Sequence, residues 1–221
     1  MKTKLIILAI TSIVINESSA LDLATESKKI IDQYYSSVSG FGISKEDEEH
    51  IRKSGCASTY GEITVDSVQK LIDYLQPKQS DVFADAGCGV GKLATQFILA
   101  SPVKKSIGVE LSKERYDKAM RVKAALQKDK KIPANRSLEF YNDNILNTNL
   151  DDVTIFFMCS TCFSLELMKQ VTKKLARLKP GLRVITLKTL PDIKKFKLLT
   201  TMNLPMTWSN STPVYIYELL P

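Results

Sequence analysis

The chain has 221 residues, 44% of them hydrophobic and 25% charged, with a formal net charge of +7 at neutral pH. This length supports one domain with a sizeable core plus a modest extension. The composition excludes a disordered, collagen-like or low-complexity chain. A single histidine excludes sites that need several and weakens any Ser-His or Cys-His triad, and no metal site is expected.

In chain order, the N-terminus reads as a signal peptide over residues 1–20. Met1 to Lys4 is a basic start, Leu5 to Ile15 is mostly apolar, and Ser18-Ser19-Ala20 offers a small-residue cleavage site. The apolar run is too short to span a membrane comfortably. The expectation is a secreted or exported protein. The alternative is an intracellular protein whose first helix packs on the domain. Residues 21–57 then form a small helical extension, with Ile30, Ile31, Tyr34 and Tyr35 on its apolar side and a break at Gly40-Phe41-Gly42. Ser44, ahead of Glu46, Asp47, Glu48 and Glu49, is a helix start with acids in the first turn. Thr64 to Leu75 is amphipathic, with Val65, Val68, Leu71, Ile72 and Leu75 on one face, and Pro77 ends it.

Residues 58–221 carry the main domain. Strands are expected near 81–86, 106–110, 138–141, 153–158 and 182–188, with helices near 91–100, 112–129 and 164–178. This alternation predicts an α/β domain with a mostly parallel sheet covered on both faces. The pattern then changes: 196–202 and 213–219 are strand candidates with no helix between them.

Asp85-Ala-Gly87-Cys-Gly89-Val-Gly91 sits between the first strand and the first helix of this series, and Glu110 ends the next strand. Strand, glycine turn, helix, strand, acid is the start of a nucleotide-type α/β fold. A dinucleotide fingerprint fails because its third glycine falls on Lys92, and a phosphate loop fails at Ala86 and Leu93. What fits is acid-x-G-x-G-x-G, which resembles the first motif of class I S-adenosylmethionine (SAM) methyltransferases. SAM has no pyrophosphate, so a full phosphate cradle is unnecessary. Glycines allow close backbone approach, and the helix N-terminus offers free N–H groups to a carboxylate. Asp85 can hold the cationic end of the methionine moiety, and Glu110 can accept from both ribose hydroxyls.

A longer order of motifs is also present. Tyr60-Gly61-Glu62 precedes a helix, then come the glycine motif, Gly108-Val109-Glu110, Asn142-Asp143, Leu187-Lys188, Trp208 and Pro213-Val-Tyr215-Ile-Tyr217. Together they resemble the catalytic domain of the Dot-one (disruptor of telomeric silencing) family of non-SET histone-lysine methyltransferases, over roughly residues 58 to 219. The resemblance implies a Rossmann-like class I SAM methyltransferase with a seven-stranded sheet, and a protein substrate. It places cofactor contacts on Tyr60, Gly61, Glu62 and Ile63 as a closing loop. Others fall on Phe83, Asp85, Gly87, Gly89, Gly91 and Lys92, on Glu110 at the ribose, and on Asp143 with Asn144 at the adenine. Tyr215, Tyr217 and Trp208, with Phe163, are candidates for the walls of an acceptor channel.

The chain also departs from that family. The asparagine pair expected after the fourth strand is replaced by Met158-Cys159-Ser160-Thr161, the expected Gln is Lys92, and the aromatic after the adenine acid is Asn144. The acceptor side is therefore rebuilt. Two alternatives remain open: methylation of a membrane-protein lysine or a small molecule, or SAM binding without turnover. Cys159-Ser-Thr-Cys162 matches C-x-x-C and reads as a redox pair or as small residues lining a pocket. Lys169, Lys173, Lys174, Arg177, Lys179, Arg183, Lys188, Lys194, Lys195 and Lys197 form a basic strip opposed only by Asp192. The strip is read as a contact for nucleic acid or an acidic surface, or as a solvated helix face.

Overall fold

The computed structural model describes residues 22–221. The leader expected over residues 1–20 lies outside the described residues. Helix α1 covers residues 22–35, and α2 covers Lys45–Lys53. Ser44 caps α2 by accepting from the Asp47 N–H, as its position before the acidic run predicts. Helix α3 spans Val65–Leu75 and is capped by Thr64.

The main domain alternates as expected. Strands β1 (Val82–Ala86), β2 (Lys105–Glu110), β3 (Ser137–Asn142), β4 (Ile155–Met158) and β5 (Arg183–Thr186) interleave with α4 (Lys92–Ala100), α5 (Lys113–Lys128) and α6 (Leu165–Leu175). The chain ends in a long hairpin, β6 (Phe196–Met206) and β7 (Ser209–Leu219). The hairpin strands run further than the apolar segments that signalled them, up to the tight turn at Thr207-Trp208.

The sheet order is β3-β2-β1-β4-β5-β7-β6. Strands β1 to β5 pair in parallel, and β7 is antiparallel to both β5 and β6. The sheet is therefore mixed, with its antiparallel part confined to the end of the chain. From β1 the order runs outward through β2 and β3, then returns to β4 on the other side of β1. That reversal opens a crevice beyond the carboxyl ends of β1 and β4, where ligands of open α/β sheets bind.

Apolar clusters cover both faces. One combines Phe83, Val90, Phe97, Leu126, Val214 and Ile216 with Ile30, Ile31 and Tyr35 of α1. The other joins Val82, Ala84 and Ala86 to Met168, Val171 and Leu175 of α6. The N-terminal extension thus shares the core of the main domain. Eight of the nine residues of α4 are buried. This explains why its apolar pattern is nearly continuous rather than one-sided.

Candidate functional site

A cavity of about 350 Å³ opens at the crevice, within the roughly 300–1,000 Å³ typical of small-molecule sites. Its floor is the end of β1 and the glycine turn. Asp85 is 3% exposed and lines the cavity. Among the described residues, none hydrogen-bonds to its carboxylate. Burial, and then the charge of Glu110, hold it well above the usual carboxylate range.

Glu110, at the end of β2, closes the turn from the neighbouring strand. Its Oε2 accepts from the Gly89 N–H at 2.8 Å and its Oε1 from the Ser112 N–H at 2.9 Å. Burial raises its pKa, opposed by the Ser112 amide, the Arg115 charge and the Gly89 and Leu111 amides. Each oxygen keeps a lone pair for a further donor.

One wall is the loop from Thr59 to Ile63. Tyr60 lies across the glycine turn. Gly89 is held at φ 57°, and a Cβ there would meet Tyr60 Cε2 at 2.6 Å. Glycine is needed at 89 for both backbone angle and room. The Tyr60 hydroxyl donates to Glu62 Oε1 at 2.5 Å, and the Lys92 ammonium donates to Glu62 Oε2.

The terminal hairpin braces this loop. The Thr207 N–H donates to the Glu62 carbonyl at 2.8 Å, Glu62 N–H donates to Thr207 Oγ1 at 2.9 Å, and Ile63 bridges to Met206. Trp208 at the hairpin tip covers Gly61, where a Cβ would lie 2.3 Å from the indole.

Asp143 and Asn144 follow β3 at the far end. Asp143 Oδ1 accepts from the Asn144 N–H at 2.7 Å and its Oδ2 from the Thr148 hydroxyl at 3.1 Å. The Lys174 ammonium reaches across from α6 to the carbonyls of Ile145, Leu146 and Thr148, at 2.8, 2.9 and 2.5 Å. Further lining comes from the segment around Cys56 and from the 3₁₀ turn Ser160–Cys162, contributing Cys56, Ala57, Cys159, Thr161, Cys162 and Phe163. These side chains are apolar, thiol or hydroxyl, and none is a carboxylate.

The structure thus brings Tyr60, Gly61, Glu62, Ile63, Asp85, Gly87, Gly89, Lys92, Glu110, Asp143, Asn144 and Trp208 around one cavity. Four expected residues do not line it. Phe83 points into the core and stacks on Phe97, with ring centroids 3.8 Å apart. Gly91 is the N-cap of α4, packed under Phe140. Tyr217 is 3% exposed within the cluster against α6. Tyr215 borders a separate cavity with Phe163, Leu187 and Lys188. Alternation along β7 puts both tyrosines on the α6 face, while Val214 and Ile216 face the other side.

Arg115 was missed by the sequence reading. It is 6% exposed on α5, donates to the Gly40 carbonyl at 2.9 Å and the Ser58 carbonyl at 2.7 Å, and lies over the Tyr60 ring at 4.8 Å. It ties the glycine break of the extension to the wall of the cavity. The available signal was its place on the buried stripe of α5 with Ala119, Val122 and Leu126.

Comparison with known proteins follows the same lines. The family described as "Histone methylation protein DOT1" matches residues 43–207. The chain belongs to the DOT1 family. It is 34% identical over 155 residues to the histone-lysine N-methyltransferase, H3 lysine-79 specific, of Dictyostelium discoideum, a match covering 62% of this chain and 8% of that protein. It is 26% identical over 119 residues to a protein-lysine N-methyltransferase of Saccharolobus islandicus (strain REY15A), covering 54% of this chain and 69% of the relative. In fold it is similar to geranyl diphosphate C-methyltransferase from Streptomyces coelicolor A3(2), solved with S-adenosyl-L-homocysteine. The TM-score is 0.57 at 16% identity, over 80% of this chain and 99% of that one.

The residues present fit SAM, whose demethylated product S-adenosyl-L-homocysteine is bound in that solved methyltransferase. Asp85 is a buried carboxyl without a hydrogen-bond partner among the described residues, suited to the ammonium of the methionine part. Glu110 has lone pairs for two ribose hydroxyls, Lys92 and the N-terminus of α4 suit the carboxylate, and Asp143 and Asn144 offer polar edges to the base.

Proposed function

We propose that this protein is a SAM-dependent protein-lysine N-methyltransferase acting on a deprotonated lysine amine. The observation that carries the reading is Asp85. It is buried at the floor of the cavity with no hydrogen-bond partner among the described residues, in a DOT1-family chain whose match also spans the Tyr60-to-Glu62 wall.

When bound, SAM supplies an electrophilic methyl group on a sulfonium, open to direct in-line attack. Asp85 would neutralise the cationic methionine end, Glu110 would accept from the ribose hydroxyls, and the Asp143 loop would hold the base. The remaining task is to present a neutral amine. A free lysine has a pKa near 10.4, so making it neutral at pH 7 costs about 4.6 kcal/mol. The thiol, hydroxyl and apolar wall around Cys159, Phe163 and Trp208 supports this step, because desolvation lowers an amine pKa. Positioning of donor and acceptor contributes much of the rest.

The identity of the acceptor follows from the same proposal only as a class: a protein lysine, with histones as the first to try. The basic strip is partly spent inside the fold. Arg183 pairs with Asp81 at 2.9 Å, Lys174 holds carbonyls, and Lys188 donates to the Phe163 carbonyl. Lys169, Lys173, Arg177, Lys194 and Lys197 remain exposed and are our proposed contact for an acidic surface. Export on the N-terminal leader is part of the proposal, and mass spectrometry of secreted protein should find a chain starting at Leu21.

The test is methyl-labelled SAM with nucleosomes, free histones and bulk protein. Label in lysine, lost in Asp85→Asn, is the expected result. No label in any lysine contradicts the proposal, and label in lipid-soluble material alone moves the acceptor to a membrane protein or small molecule.

A further inference from the structure

All four cysteines of the chain line the same cavity. Cys88 is buried in the glycine turn, whereas Cys56, Cys159 and Cys162 are partly exposed, and all four are free thiols. Cys159 precedes and Cys162 ends the 3₁₀ turn Ser160–Cys162. Each sulfur lies 3.9 Å from the hydroxyl of Thr161 between them.

The turn itself is held rigidly. Ser160 is fully buried. Its hydroxyl accepts from the N–H groups of Leu187 and Lys188 at 3.2 and 2.9 Å and bonds to the Thr186 hydroxyl at 2.8 Å. The Cys162 carbonyl accepts from the Ala57 N–H at 3.0 Å, and Cys56 bridges to Phe163. Two thiols on one anchored turn, facing a cavity open to small molecules, are a setting for intramolecular disulfide exchange. Among the described residues, no group of three or more His, Cys, Asp or Glu side chains is placed to hold a metal ion.

We propose that Cys159-Ser-Thr-Cys162 is a reversible thiol-modification site that exchanges with low-molecular-weight disulfides. The Cys162 thiolate attacks one sulfur of the disulfide RSSR, forming Cys162–S–S–R and releasing RS⁻. The Cys159 thiolate then attacks the Cys162 sulfur, forming the Cys159–Cys162 bond and expelling the second RS⁻. The protons of the two cysteine thiols end on the two released thiols. The protein loses two hydrogens, and RSSR is reduced to two RSH. Cys162, whose sulfur lies 3.9 Å from the Thr59 carbonyl of the facing loop, is taken as the attacking thiol. Cys159 is the resolving thiol. Burial pushes it up to about 11, so the second step is the slow one near neutral pH. A bond between them reshapes the wall where the acceptor amine is proposed to enter. That consequence rests on the proposed function, whereas the exchange chemistry does not.

The experiment uses the full chain, reduced and then incubated with excess glutathione disulfide at mildly alkaline pH. Remaining thiols are alkylated, and the protein is digested with trypsin. No Lys or Arg lies between Arg136 and Lys169, so both cysteines fall on one peptide. The expected product is that peptide two hydrogens lighter, unalkylated, and restored by dithiothreitol. Cys159→Ser should instead trap a glutathione adduct on Cys162. A doubly alkylated peptide, adducts without the internal bond in the native sequence, or a link from Cys56 to either cysteine overturns the proposal. So does a Cys159→Ser protein that gains no adduct. Calorimetry of SAM on the reduced chain separates this result from the methyltransferase reading, since neither mass readout depends on methyl transfer.

Discussion

Two buried aspartates stand at opposite ends of the first strand and show what the two ends of the sheet are for. Asp81, just before β1, accepts from the Lys78 N–H at 2.7 Å, the Thr154 hydroxyl at 2.7 Å and the Arg183 guanidinium at 2.9 Å. Burial alone would raise its pKa, but these partners outweigh burial and hold it below the usual range. Asp85, near the other end, has no such partners among the described residues, and burial drives it the other way. The closed end stabilises the fold. The open end holds a carboxyl whose charged form only a ligand completes.

The largest expected effect lies at the closed end. Asp81→Ala leaves the Arg183 guanidinium and the Thr154 hydroxyl without their acceptor. It should lower stability by about 3 kcal/mol, measured by denaturant unfolding, while SAM affinity in the folded fraction stays unchanged. A large loss of SAM affinity with full stability would break the contrast.

Next is the brace under the adenine loop. Lys174→Met removes the donor to three carbonyls and should weaken SAM binding about tenfold, or about 1.4 kcal/mol, by calorimetry. Lys174→Arg, which keeps the charge, should recover part of that loss. Equal affinities in all three proteins would show that the loop needs no brace.

The smallest effect is in pH dependence. A carboxylate with a lowered pKa stabilises the fold above its unfolded value, and that contribution is lost only as pH falls through the folded one. Asp81 should therefore fail only in acid below the ordinary carboxylate range. A raised pKa has the opposite sign: protonated Asp85 favours the folded state, and that favour is lost as pH rises through its folded value. Ligand-free protein should lose stability as pH rises above the ordinary carboxylate range, and Asp85→Asn should flatten this slope. A slope unchanged by the substitution would contradict the assignment.

The open end was more legible in the sequence than the closed one. The switch from strand to glycine turn to apolar helix marked Asp85, and the end of β2 marked Glu110. These elements announce themselves by period and by residues with special backbone freedom. Tyr215 and Tyr217 were misplaced because alternation shows that two residues share a face but not which face meets the cavity. Lys174 and Arg183 read as surface charge, and Arg115 drew no reading, because their partners are mostly backbone carbonyls, which carry no sequence signal. Asp81 read only as the first residue of a strand, because its partners at Thr154 and Arg183 come together only through the sheet.

The most direct test of the central claim is calorimetric titration of SAM into the native protein and Asp85→Asn, with thermal unfolding of both. The account predicts that Asp85→Asn binds SAM at least about 100-fold more weakly, while its ligand-free form unfolds at the same or a higher temperature. Unchanged SAM affinity in Asp85→Asn would contradict it.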